Sequence, residues 1–183
     1  MTIAIPTLET DRLILREHHA ADLDPLAAFY ADETRCKGFG GPLDRADSWR
    51  WMASSLGHWK LRGYGYWSVE EKATGLFCGL AGPWNPEGWR EPELGWFTTA
   101  QAEGRGIAFE AASRARDYIF DTLGFQTLTS NIVPGNDRSI KLAERLGATL
   151  DGSYENPHMG KVLVYRHPSP SEQDADGNVE AYA

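Results

Sequence analysis

The segment 93–112, ELGWFTTAQAEGRGIAFEAA, holds the residues whose spacing first points to chemistry. A short apolar strand ends, a loop follows, and a helix starts at a Gln-x-x-Gly-x-Gly run made by Gln101, Gly104 and Gly106. A helix N-terminus presents unpaired backbone N–H groups and the positive end of the helix dipole. Glycines there let an anion reach the backbone, and a diphosphate fits such a site. Two other phosphate motifs are excluded. A dinucleotide fingerprint needs a third glycine where this chain has Phe109, and the Gly-Lys-Ser/Thr of a phosphate-loop NTPase is absent. The glycines by themselves fit a ligand-free helix start equally well.

A second stretch, VPGNDRSIKLAERLGA (133–148), follows a β-rich strand at 127–133. Asn136 and Ser139 open its helix, and Lys141 lies further along. Asn136 alone reads as a helix cap, and Ser139 as an exposed first-turn serine. Tryptophan supplies a third signal. The chain has seven, and Trp84 and Trp89 fall in a Pro/Gly-rich loop, GPWNPEGWREP, where a core role explains them less easily than it explains Trp49 in a helix. Aromatic walls can hold a peptide, an aromatic body or a cation.

The elements that position these residues follow from periodicity. Strands are expected at 8–16, 64–70, 76–81, 93–98, 127–133, 149–154 and 161–167. Helices are expected at 20–32, 44–61, 104–123 and 137–146. Ala73-Thr74-Gly75 makes the second and third strands a hairpin. The helix at 104–123 has a face rich in alanine, which lets it lie close to a sheet, and Gly124 caps it. Hairpins combined with a strand–helix–strand crossover imply an α/β mixed sheet carrying helices.

Length and composition bound the function. The 183 residues suit one domain, read as 1–167, with 168–183 as an acidic, flexible tail. Cys36 and Cys78 are too few for a disulfide framework or a zinc site. No apolar run approaches the ~20 residues of a spanning helix, and no signal peptide is evident. A cytoplasmic setting, no membrane partner and no metal are therefore expected. The net charge of −8 argues against nucleic acid, and half of it sits in the tail.

The opening LETDRLILRE, the GWF strand with QAEGRGIAFEAA, and the late NDRSIKLAERLGA together resemble the GCN5-related N-acetyltransferases (GNAT). Within them they are similar to the ribosomal-protein N-terminal acetyltransferases. The resemblance spans about 8–167 and implies a mostly antiparallel sheet of about seven strands, splayed between the fourth and fifth, with about four helices. It implies acetyl-CoA as cosubstrate and an amine acceptor, a small molecule or a protein N-terminus, meeting in one ternary complex. By that analogy the pantetheine arm pairs with backbone near Phe97 and Thr99. The diphosphate rests on the amides of Gly104, Arg105, Gly106, Ile107 and Ala108. Asn136 contacts pantetheine and Lys141 reaches a phosphate.

Amine attack on a thioester needs a base, a donor for the developing oxyanion and an acid for the thiolate. Glu93 is the candidate base, with Glu91 as runner-up. Ser139 is the candidate acid or sulfur ligand, because the tyrosine that many relatives carry at this helix is missing. A backbone N–H near Phe97 would serve the oxyanion. Trp84 and Trp89 are the candidate substrate contacts. A monomer or homodimer is expected. The competing expectation is a non-catalytic acyl-CoA-binding sensor or interaction module on the same fold.

Overall fold

The fold is that of a computed structural model that describes residues 4–169. Of the expected tail, all but Pro168 and Ser169 lies outside the described residues. An eight-stranded sheet runs through the molecule in the order β1-β2-β3-β4-β5-β6-β8-β7. Its strands are β1 (Leu8–Glu9), β2 (Leu13–Arg16), β3 (Trp67–Glu71), β4 (Phe77–Trp84), β5 (Glu93–Thr98), β6 (Thr129–Ile132), β7 (Thr149–Asn156) and β8 (Gly160–Arg166). Every pairing is antiparallel except β5 with β6. The helices are α1 (Leu23–Ala31), α2 (Glu33–Cys36), α3 (Arg45–Arg62), α4 (Ile107–Asp121) and α5 (Asp137–Arg145).

The single strand expected at 8–16 is two strands, because the chain reverses at Thr10. The Thr10 N–H donates to the Leu13 carbonyl at 3.0 Å, and its hydroxyl accepts from the Leu13 N–H at 2.9 Å. A threonine side chain thus completes a turn that has no glycine or proline to announce it. The expected fourth and fifth strands are therefore β5 and β6.

Alternation along the strands sends residues to two cores. Val69 and Leu94 join Leu13 and Leu15 against the alanines of α4, namely Ala111, Ala112 and Ala115. Tyr66, Leu80 and Phe97 join Leu26, Phe29 and Met52 from α1 and α3 on the other face. Phe29 stacks on Phe97 with centroids 3.7 Å apart. A third small core, including Ile132, Ala143 and Tyr165, seats α5 on β6 and β8.

The sheet comes apart between β5 and β6. Glu93 and Thr129 form their one ladder pair. Beside it the Ser130 hydroxyl donates to the Leu94 carbonyl at 2.7 Å. Past Leu94 that edge of β5 has no ladder partner among the described residues. Both cysteines are buried and free. Among the described residues no helix is long and apolar enough to cross a membrane, and no cluster of three or more His, Cys, Asp or Glu could hold a metal.

Candidate active site

Glu93 stands where the two strands part. Its side chain is 5 % exposed, and it lines a cavity of about 350 Å³. Burial pushes its carboxyl up from 4.5 to about 7. Asn131 on β6 opposes that shift by donating to the carboxylate from both its side-chain amide and its backbone N–H. The Trp89 indole N–H also favours the anion, although it lies outside hydrogen-bond geometry and is otherwise buried without a partner. No Lys or Arg is among the described residues that line the cavity, and desolvation dominates.

Trp84 is the ladder residue directly opposite Glu93, and antiparallel partners share a face of the sheet. It was expected in the loop after a strand ending at Ala81. The strand instead runs through Gly82 and Pro83 to Trp84, because β5 pairs with it all the way. The Trp84 ring stacks on His58 at 4.3 Å and on Tyr66 at 5.1 Å. His58 is itself fixed. Its Nε2 accepts from the Asn85 N–H at 3.1 Å, so its Nδ1 donates to the Tyr64 carbonyl at 2.7 Å. Burial lowers its pKa and keeps the ring neutral.

Phe39 and Trp51 extend the aromatic wall, and Trp89 stacks on His158 from the β7–β8 turn at 5.3 Å. The Tyr66 hydroxyl reaches over Gly95, where a Cβ would come within 2.1 Å of it. Only glycine leaves that space on β5. Burial and the nearby Glu93 hold the Tyr66 phenol well above its ordinary pKa, so it stays a neutral donor. The exposed tryptophan is Trp49, which faces away from the core on α3.

Ser139 and Asn136 form the far wall, at the start of α5. Asn136 caps that helix, its Oδ1 accepting from the Ser139 N–H at 3.3 Å. Its Nδ2 lies against Gly38, where a Cβ would approach to 2.5 Å. Glu93, Trp84, Trp89, Asn136 and Ser139 thus line one cavity. Lys141 does not join them. It is exposed and two residues on from Ser139, roughly 200° around the helix.

The glycine run lies between the end of β5 and the start of α4. Gly104 and Gly106 have φ of 73° and 76°, and Gly106 is the N-cap of α4. No side chain caps the helix, so its first-turn amides have no side-chain acceptor. Ile107 is buried in the core and Ala108 half-buried, so they offer backbone only. Arg105 is exposed, but its guanidinium is engaged by Glu71. Phe97 is packed in the core and its backbone is turned to β4, where it pairs with Leu80 and its carbonyl lies against Gly79. The Thr99 N–H donates to the Cys78 carbonyl at 2.9 Å, while its hydroxyl is buried without a partner. Glu91 is tied to Arg166 by two contacts of 2.9 Å and held below its ordinary pKa, so it clamps β8 to the β5 approach.

Sequence reasoning did not find Asn131, Tyr66 or His158. Asn131 carried a usable signal, a lone amide inside the β-rich run TSNI.

The model of the acetyltransferase (GNAT) domain matches residues 12–149. The chain belongs to that family. It is similar to the solved acetyltransferase from Agrobacterium tumefaciens str. C58, at 37 % identity and TM-score 0.83 over 92 % of this chain and 98 % of that one. It is 32 % identical to protein YkkB of Bacillus subtilis (strain 168), over 76 % of this chain and 83 % of the relative. The ribosomal-protein-S5-alanine acetyltransferase from Vibrio fischeri shares the fold, at TM-score 0.69 and 15 % identity over 92 % and 99 % of the two chains. This GNAT protein is accordingly an acyltransferase of the N-acetyltransferase type.

Proposed function

We propose that the chain moves an acetyl group from acetyl-CoA to a primary amine, with Glu93 taking the amine proton. The observation that carries this reading is a buried carboxylate with a pKa of about 7 at the apex of a splayed sheet. A base is most effective when its pKa lies near the working pH.

The other half of the opening fits acetyl-CoA. The unpaired β5 edge suits an amide-bearing pantetheine, the buried Thr99 hydroxyl has no partner among the described residues, and the glycine-capped α4 start suits a diphosphate. Gly104 to Ala108 and Asn136 are the residues that would hold it. Bound acetyl-CoA supplies a thioester as the electrophile. In the net change a nitrogen–carbon bond replaces a carbon–sulfur bond. Glu93 receives the amine proton, directly or through water, and returns it to solvent, while the departing thiolate takes up one proton to become the thiol. Ser139 is the hydroxyl on the α5 wall that can give that proton or hold the sulfur.

Calorimetry with acetyl-CoA, using NAD as comparator, tests this first. Micromolar binding of acetyl-CoA, about −8 kcal/mol, with thiol release on adding an amine, is expected. No binding of acetyl-CoA overturns the reading.

A further inference from the structure

We infer that the cavity beside Glu93 is built to bind a small amine with a flat aromatic body and no acidic group. The inference rests on the reading of Glu93 as the base and adds what the amine is attached to.

The walls supply the first argument. Phe39, Trp51, Tyr66 and Trp84 form a connected set of rings, with centroids 5.9 Å apart for Phe39 and Trp51, 6.0 Å for Trp51 and Tyr66, and 5.1 Å for Tyr66 and Trp84. The Tyr66 and Trp84 planes differ by 25°, and Trp51 lies 28° from Trp84. His58 holds this set from behind. Rings locked by one another keep fixed faces, and a planar guest gains most from them.

Charge supplies the second. Glu93 is the one carboxylate among the lining residues, and no Lys or Arg joins it. A ligand carboxylate or phosphate would find no Lys or Arg there, with the His158 imidazole, stacked on Trp89, as the one basic ring in the lining, and would meet Glu93 instead. A single ammonium finds its partner, and the aromatic faces favour a cation further.

Size and polarity supply the third. About 350 Å³ is near the lower end for small-molecule sites. Asn131, Asn136 and Ser139 lie on the β6–α5 side, next to the thioester's expected place. The opposite walls are rings, which give a polypeptide's amides little to pair with.

The test measures binding to the wild-type protein by calorimetry with four probes: tryptamine, hexylamine, indole-3-propionate and an Ala-Ser-Ala peptide. Tryptamine is expected to bind about tenfold more tightly than hexylamine, and indole-3-propionate not at all. Trp84→Ala should weaken tryptamine about tenfold while acetyl-CoA binding, the check on folding, persists. Trp84→Phe should restore most of the affinity. Hexylamine or the peptide binding as tightly as tryptamine overturns the inference, and the wild-type series decides this even if the alanine variant fails to fold. The two readings fail separately. Selective tryptamine binding without thiol release sinks Glu93 as the base and leaves the cavity's preference standing. Glu93-dependent acetylation that favours hexylamine or the peptide does the reverse.

Discussion

The entrance at α4 is made of backbone, and the cavity beside Glu93 is made of side chains. At α4 two glycines in left-handed conformation free a helix start of any capping group, and the neighbouring Ile107 and Ala108 turn their side chains to other uses. Its attraction for an anion comes from amides and a dipole, which no pH near neutrality removes. Around Glu93 the opposite holds. Rings from the α2–α3 loop, α3, the residue before β3, β4, the β4–β5 loop and the β7–β8 turn exclude water, and that exclusion is what raises the carboxyl to about 7. On the proposed reaction, one half binds by permanent dipoles and the other reacts through a proton whose affinity the packing sets. The two halves should therefore answer to different substitutions.

Glu93→Gln should give the largest effect. It is expected to lower kcat/KM by about 10² to 10⁴ and to leave acetyl-CoA affinity unchanged. In the wild type, activity should rise with pH through about 7, as Glu93 ionises, and the variant should lose that limb. Stability should move the other way. A folded-state pKa above the unfolded value of 4.5 means stability is fully present below pH 4.5 and is lost as pH rises through about 7. The buried charge then costs about 3 kcal/mol at pH 8. The Gln variant should consequently melt higher than the wild type at pH 8, with the gap closing near pH 4. A melting gain without loss of activity would mean that Glu93 is not the base and that the proton acceptor lies elsewhere.

Gly106→Val comes next, and it should strike the other half alone. A β-branched residue at φ 76° is strained. About tenfold weaker acetyl-CoA binding is expected, equivalent to about 1.4 kcal/mol, with tryptamine binding unchanged. Equal losses for both ligands would mean that the two halves are not separate, and undisturbed acetyl-CoA binding would move the diphosphate elsewhere.

The same contrast explains what could be read from the residues in advance. Backbone sites leave a local trace, because only glycine adopts the conformations of Gly104 and Gly106, and both fall within one short run. Glu93 and the Asn136–Ser139 pair were legible for a similar reason, since each sits at the end of an element whose limits periodicity marks. The family fold was legible too, including the opening between β5 and β6. The aromatic cavity was not. Its residues run from Tyr30 to Met159, and nothing along the chain shows that His158 stacks on Trp89. Local chemistry even pointed the wrong way at Gly82 and Pro83, two strand breakers that pairing with β5 keeps in the sheet. That override put Trp84 opposite Glu93. Trp49 shows the reverse error, an aromatic side chain on a helix that packing leaves outside.

Asn131→Ala makes the finest test, because it changes the proton affinity of Glu93 while leaving the carboxylate in place. The Asn131 amide donates to the ionised form and so lowers the pKa, against the larger upward pull of burial. Removing it should shift the activity limb to higher pH, with the backbone N–H of residue 131 still limiting the change. A hydrogen bond worth about 1 kcal/mol predicts activity about threefold lower at pH 7 and equal to wild type near pH 9, where the carboxylate is ionised in either protein. A loss that persists at pH 9 would mean that Asn131 positions the amine or the thioester directly. An unchanged profile would mean that the limb belongs to another group, and the base would have to be sought away from β5.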